Sequence, residues 1–558
     1  MGARTGEEYL NGLRASKRTM WLGPDKVDDV TAHPATAGAA RQMARVFDAQ
    51  HTWAEDCLMP DPETGEPINV SHMIPRSKED IQRRRRGLER ISALSVGLMG
   101  RTPDYKNVTF AGFAGRWRDW AGADEQNLEG AQHLIEFQKR LRRQDLALTH
   151  TLVHPTVDKS RKDIAGDHVP LHKVGETEDS IIVSGARILA TSAPFADEML
   201  VYPGSPLPEG EVSAYALSFV IPMDTPGLTF LCRDSAASPD DDHFDRPLST
   251  RFDEQDAFVI FDNVEIPKER VFINGIPEIY NTVMRVSWWP NIMQQTTIRA
   301  LTKLEFAFGL ASRIAEINGD RSEMTVDALG EILSYVELTR SGLRLAELNA
   351  RDYGDGVFFP DDTPLHPLRA TLTLWIPRVC EIITLMGSHN LIAAPSRAML
   401  DEPELRALID TYLATADGTS AEDRAALFRL AWDFVGTTLG GRNGLYERFY
   451  LGSTGRNRKI LHDVAMGAPT SGRRSTSTAK TWCRACSPAR TDARSAGRAL
   501  GAGARSQRIG AESGRARPLA ANRRRIGPST PAPSESASNR PAEVGSCCRI
   551  FDALIGKV

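Results

Sequence analysis

Only seven cysteines occur in the 558 residues. Cys57, Cys232 and Cys380 are widely scattered, which argues against a disulfide frame and for a reducing compartment. Cys483 and Cys486 form a lone CxxC, and Cys547 and Cys548 are adjacent. No second pair and no histidine pair lies at zinc spacing, so no metal site is expected. No apolar run approaches the roughly 18–20 residues that cross a bilayer. The opening segment "MGARTGEEYLNGLRASKR" lacks an apolar core and a cleavage pattern. Gly6 also stands where a myristoylation signal needs Ser or Thr. The expected setting is cytoplasmic, with no membrane partner. No GxGxxG opens a helix after a strand, so no nicotinamide site is expected.

What is present suits a globular chain of two to four domains: 41% hydrophobic and 25% charged residues. The net charge of −4 hides an asymmetry. From residue 470 onward fifteen Arg and two Lys face five acidic residues, so that segment carries +12 and residues 1–469 carry −16. The basic segment has almost no apolar periodicity and is expected to be disordered. Such a tail could bind nucleic acid or an acidic surface. The reading adopted is an extension without selected structure, and nucleic acid is not an expected partner.

The acidic body divides into three. Residues 1–150 place apolar side chains at three- and four-residue spacing, as in "KEDIQRRRRGLERISALSVGLMG", which predicts a helical domain. The Arg83–Arg86 run is read as the solvated face of one helix. Residues 151–280 change to β-branched runs such as "DSIIVSGARILATSA" and "DAFVIFDNVEIPKERVFI", bounded by Gly, Pro and Asp. These predict a small barrel or sandwich. Helical spacing returns over 281–468 and predicts a bundle. This order points to a ligand held between layers.

Three stretches carry candidate chemistry. "GLMGRTPDYKNVTF" sets Arg101, Asp104 and Tyr105 around Pro103, read as helix-breaking. A guanidinium and a phenol hydroxyl there suit an anionic or phenolic ligand, or equally an ion-paired turn. "LTHTLVHPTVDK" ends the first helical region and holds His150 and His154 four apart, on one face if helical. No HExxH pattern supports a metal, and a lone His is most often structural. Its place at a domain junction gives it a possible role as a titrating group. Thr191 and Ser192, in "ILATSAPFADE", offer hydroxyls that also fit plain turn chemistry. In "VGTTLGGRNGLYERFYLGS", Gly440 and Gly441 allow close backbone approach and Arg442 is a bidentate donor for phosphate. The alternative is a Gly-stopped helix.

Together these segments resemble the 4-hydroxyphenylacetate 3-monooxygenase family, the oxygenase component of two-component FAD-dependent phenol hydroxylases. The resemblance runs over about residues 4–465 and includes "RTGEEYLNGLR", "GRTPDYK", "HTLVHPTVD", "IIVSGARILATSA", "RFDEQDAFVIFDNVEIPKERVF" and "GGRNGLYERFY". It implies an α+β, acyl-CoA dehydrogenase-like fold: an N-terminal helical domain (1–150), a central β barrel (151–280) and a C-terminal four-helix bundle (281–468), usually a homotetramer. It implies FAD as the reduced co-substrate FADH2, dioxygen, a phenolic substrate and a separate NAD(P)H-flavin reductase. Arg101, Tyr105 and His150 would surround the phenol, with Ser205 in a loop closing over it. His150, Thr151, Leu152, Thr156, Val157, Asp158, Lys159 and Thr191 would line the flavin. Gly440, Gly441, Arg442 and Asn443 would reach it from the far end of the chain, within one subunit or across a subunit interface.

The implied chemistry needs such groups. An electrophilic oxygen is attacked best by an electron-rich ring, and phenolate is far richer than phenol. With a phenol pKa near 10, a cation or base must stabilise the anion. Arg101 is permanently charged, His150 can take or share the proton, and Tyr105 would orient the ring oxygen. A dry site limits unproductive peroxide release. Asp256 could orient a basic partner. Gln294 and Gln295 stand where some relatives carry His, which leaves the proton acceptor open.

Other readings are a 4-hydroxybutyryl-CoA dehydratase-like or acyl-CoA dehydrogenase-like flavoenzyme, or an inactive scaffold with a nucleic-acid-binding tail. The dehydratase needs cluster thiolates, yet no Cys lies between Cys57 and Cys232, and Thr297 occupies the corresponding bundle helix.

Overall fold

In the computed structural model, residues 2–156, 167–238, 240–415 and 417–466 are described. Val157, Asp158 and Lys159, the two late cysteine pairs and the basic tail lie outside them.

Helices dominate up to Gln144. Gly6–Ala15 begins with a reciprocal cap: Glu8 donates its N–H to Thr5 Oγ1, and Thr5 donates its N–H to the Glu8 carboxylate. Lys78–Ala93 is capped by Ser77. The Arg83–Arg86 run within it is not a single solvated face. Four successive residues span a full helical turn, so Arg84 is buried, Arg83 and Arg85 are half-buried and only Arg86 is exposed. Pro103 does not break a helix either. It starts Pro103–Gly115, where its missing N–H would have had no partner. All thirteen residues of that helix are buried, so it carries no polar stripe.

The middle of the chain forms two sheets, not the closed barrel expected from the resemblance. Six strands run in the order Asp25–Lys26, Met20–Leu22, Leu228–Cys232, Asp256–Pro267, Ser180–Thr191, His172–Glu176. Four run Val271–Asn274, Leu217–Pro222, Glu198–Val201, Leu148–Thr151. The sheets meet at one corner, where Val153 bridges Ile188 and Thr149 Oγ1 donates to Thr191 O at 2.6 Å. The six-stranded sheet ends in a short edge: its outer strand Asp25–Lys26 has two residues, both exposed, which offers little ladder for closure.

After Pro277 the chain is again mostly helical. A π-helical turn, Met284–Trp288, leads into Trp289–Asn318, where Pro290 cannot donate to the preceding turn. Glu323–Leu348, Leu365–Gly387 and Ala421–Val435 pack around that long helix. Leu365–Gly387 is long and apolar enough to cross a membrane, which the sequence reading did not expect. Here it is a packed helix: Ile376, Val379, Ile382 and Ile383 are buried, and Arg378 pairs with Glu331 at 3.0 Å. One large apolar core joins the helices to the sheets, and a second, aromatic cluster around Phe110, Phe113, Trp120, Tyr202 and Phe272 adjoins it.

Candidate active site

Gly97 and Gly100 shape the approach to Arg101. Gly97 takes φ +71°, and a Cβ there would meet Arg299 O at 2.4 Å. A Cβ on Gly100 would meet the Tyr446 hydroxyl at 2.7 Å. With no side chain in the way, Arg101 lies among three tyrosines. Its guanidinium is 4.2 Å from the Tyr105 ring centre, 4.5 Å from Tyr450 and 5.8 Å from Tyr446. Tyr446 and Tyr450 come from one face of the helical segment that includes Thr438–Phe449. Arg101 is 9% exposed, and its Nε has no hydrogen-bond partner.

Tyr105, on the buried helix, stacks on His150 with centroids 5.8 Å apart and planes inclined by 17°. His150 lies on Leu148–Thr151, paired in parallel with Glu198–Val201. The condition for a shared helical face of His150 and His154 is thus not met: His150 is in a strand, and His154 lies beyond it. His150 Nδ1 has no hydrogen-bond partner. Arg101, Tyr105 and His150 therefore form one buried group.

Lys106 and Tyr202 complete it. Lys106 Nζ lies 4.8 Å from the Tyr105 ring centre and 4.3 Å from that of Tyr202, and donates to the Tyr202 hydroxyl at 3.1 Å. Tyr202 packs on His150 at 4.7 Å. Burial, then the neighbouring Lys106 and Arg101, holds the His150 imidazole well below its ordinary range, so it is neutral. Burial, then Arg101, pushes Lys106 well down in the same sense. The Tyr105 hydroxyl is pushed up by burial, against the pull of Arg101. Arg101 keeps its charge: burial opposes it, but Tyr446, Tyr105, Tyr450 and Glu254 outweigh burial.

A carboxylate relay ties this group to the far end of the chain. Arg101 donates its backbone N–H to Glu254 Oε1 at 2.6 Å, and Arg442 Nη1 reaches Glu254 Oε2 at 3.3 Å. Arg442 also grips Asp256 through Nε and Nη2, both at 2.9 Å. Thr191 Oγ1 donates to Asp256 at 2.7 Å, as does Arg233 at 3.0 Å. Burial alone would raise Asp256; Arg442 and Arg233 outweigh it and bring the carboxyl down to about 2. Asp256 does orient a basic partner, and that partner is Arg442 rather than His150.

The remaining candidates are placed as follows. Thr151 Oγ1 donates to Ile188 O, and Leu152 O accepts from Arg187 Nη1 at 2.7 Å. Arg187 is fully buried, with Nε and Nη2 unpartnered. Thr156 is exposed, and so is Ser205, which no hydrogen bond ties to the cluster among the described residues. Gly440, Gly441 and Arg442 lie inside a helix, not a loop. Gly440 is needed there because a Cβ would meet the Val435 carbonyl carbon at 2.6 Å, whereas Gly441 faces open space. Asn443 Oδ1 accepts from Lys303 at 2.6 Å. A polar cavity of about 510 Å³ opens at that helix's N-terminus, lined by Ser235, Ser238, Asp241, Arg246, Thr437 and Thr438. Arg246 Nη1 is buried without a partner. Gln294 is committed elsewhere: its Oε1 accepts from Arg84 Nε and Nη2, and its Nε2 donates to Glu347. Gln295 donates to Asp104 at 2.9 Å.

Residues 5–273 match the 4-hydroxyphenylacetate 3-hydroxylase N-terminal family, and residues 280–466 match its C-terminal counterpart. The chain belongs to the 4-hydroxyphenylacetate 3-hydroxylase family. It is 36% identical over 466 residues to the 4-hydroxyphenylacetate 3-monooxygenase oxygenase component of Thermus thermophilus, covering 83% of this chain and 94% of that one. The oxygenase component of a Rhodococcus 4-nitrophenol 2-monooxygenase is 32% identical, covering 80% and 86%. A crystal structure of a 4-hydroxyphenylacetate 3-monooxygenase oxygenase component with FAD and 4-hydroxyphenylacetate superposes with a TM-score of 0.80 at 34% identity. It covers 87% of this chain and 98% of that one.

Within this hydroxylase chain, sequence reasoning missed Lys106, Tyr202, Glu254, Tyr446 and Tyr450. Lys106 closes the "GRTPDYK" stretch, and the i,i+4 pair Tyr446 and Tyr450 sits in "GLYERFY", so both had a signal. Tyr202 and Glu254 had none.

Proposed function

We propose that this chain is the oxygenase component of a two-component monooxygenase, converting a phenol to the ortho-dihydroxy product with reduced FAD and dioxygen. A separate NAD(P)H-flavin reductase would supply the FADH2. The observation that carries this reading is the single buried group of Arg101, Tyr105 and His150.

The residues fit a flavin dinucleotide. Arg187 offers unpartnered N–H groups beside Leu152, and Arg246 offers one at the cavity before Gly440. Anionic and carbonyl-rich groups satisfy such donors. Thr151, Leu152, Thr156, Thr191 and the Gly440–Asn443 segment would hold the cofactor, with Val157, Asp158 and Lys159 by resemblance only. Bound reduced FAD would supply the electrophilic oxygen atom from dioxygen.

This chain's own residues do the rest. Arg101 places a permanent positive charge where the phenol oxygen ionises, with low-dielectric surroundings strengthening the attraction. A phenol ring entering the group takes over one of the aromatic faces now stacked on that guanidinium. His150, neutral, accepts or shares the hydrogen bond of the phenol, and Tyr105 orients its oxygen. The enclosing aromatic side chains exclude water. Ser205 would close over the substrate from its loop.

We also infer the finer layout: domains at 1–150, 151–280 and 281–468, an acyl-CoA dehydrogenase-like arrangement, a homotetramer and a cytoplasmic setting. The helix ending at Gln144 and the strand Val271–Asn274, last in sequence of the ten that build the two large sheets, support those divisions. The test is turnover of a panel of phenols with reduced FAD and air. Catechol products are expected, and peroxide alone with every phenol would refute the reading.

A further inference from the structure

Lys106 is 0% exposed, on a helix with every residue buried. Its amine makes one hydrogen bond, to the Tyr202 hydroxyl, and among the described residues no carboxylate pairs with it. An ammonium buried without a counterion is strongly disfavoured, and a methionine of similar volume would fill the space without that cost. Packing alone therefore does not account for an amine here. Its position does suggest a use: Nζ sits between the Tyr105 and Tyr202 rings, both packed on His150, with Arg101 on Tyr105.

We propose that Lys106, as a neutral amine, takes the proton of the substrate's phenolic hydroxyl. The phenol O–H bond breaks, a third N–H bond forms on Nζ, and the electron pair stays on the oxygen beside Arg101. This rests on the reading under Proposed function and changes its acid–base assignment: His150 holds the phenol and Lys106 ionises it.

Basicity favours the amine. Phenol and lysine have ordinary pKa values of about 10 and about 10.4, whereas imidazole, at about 6.5, lies roughly 3.5 units below the phenol and roughly 4 below the amine. Burial depresses both bases in the resting site, where neither has a counterion. Transfer to Lys106 creates the missing counterion in the same step, so the enclosed group keeps its net charge while phenolate and ammonium form side by side. Among the described residues, the hydrogen bonds that lead on from Tyr202 give the proton no exit from the group. The Tyr202 hydroxyl donates to Thr109 Oγ1 at 3.3 Å, which donates to Tyr105 O at 2.8 Å, and the chain ends at that carbonyl.

The test uses 4-nitrophenol, whose neutral and anionic forms absorb at different wavelengths, bound anaerobically to the full chain with reduced FAD so that nothing turns over. About one unit below the free phenol's pKa, wild type should bind the anion while releasing no proton to a weakly buffered indicator. Lys106→Met and Lys106→Gln should each lower the ratio of ionised to neutral bound phenol at least about tenfold, one unit of apparent pKa. If both variants show the wild-type anion band while Arg101→Ala alters it, the Lys106 assignment is overturned and the site reading stands. If Arg101→Ala leaves affinity and spectrum unchanged, both fall. Release of one proton per nitrophenolate by wild type overturns the Lys106 assignment without any variant.

Discussion

Arg442 donates two hydrogen bonds of 2.9 Å to the two carboxylate oxygens of Asp256, joining residues 186 apart in sequence. The guanidinium read from the sequence as a bidentate donor for phosphate is held by a carboxylate that also takes Thr191.

Asp256→Asn should therefore cost roughly 3 kcal/mol of stability near neutral pH, because it leaves a buried guanidinium half-paired. The pH dependence has a definite sign. The folded-state value of about 2 lies below the ordinary 3.8, so the carboxylate's contribution is complete above about pH 4 and is lost as pH falls through about 2. Urea midpoints from pH 7 down to 2 should show the gap between wild type and variant closing only in that acid window.

Gln294 is structural. Its carbonyl is the acceptor for buried Arg84. Gln294→Leu should lower the unfolding free energy by about 2–4 kcal/mol, since it strands that guanidinium. The ratio of catechol to peroxide in the folded fraction should not move. A large change in that ratio would put Gln294 in the chemistry.

Tyr450 offers its ring to Arg101 at 4.5 Å and to Arg299 at 4.1 Å, and its hydroxyl donates to Gly100 O at 3.2 Å. Tyr450→Phe keeps the ring and should cost about 1 kcal/mol of stability, with phenol affinity within about twofold. Tyr450→Ala removes a cation–π face and should weaken phenol binding about tenfold. Equilibrium titration of the two variants separates ring from hydroxyl.

Much of this was legible in the chain. Helix, strand and helix periodicity gave the order of elements, because apolar spacing reports which face is buried. Arg101 and Tyr105 were legible as a pair since four residues bring them within one turn, and the family resemblance added His150. Barrel closure was not legible: it depends on edge strands such as Asp25–Lys26, whose two exposed residues carry no pattern. Nor was the fate of Arg84, since only the docking of Trp289–Asn318 gives it Gln294. Glu254 and Tyr202 stayed hidden for the same reason. Their contacts with Arg101 and Lys106 span 153 and 96 residues, and no local spacing encodes them.

The central claim is that the Arg101 cation stabilises an ionised phenol oxygen within the group it forms with Tyr105 and His150. The most direct measurement is catechol formed per dioxygen consumed, for wild type and Arg101→Met, across phenols of graded acidity. The variant should bind reduced FAD within about threefold of wild type yet lose at least about tenfold in yield with weakly acidic phenols, and progressively less as the phenol becomes more acidic. A native yield in the variant, or a loss that ignores phenol acidity, would contradict it.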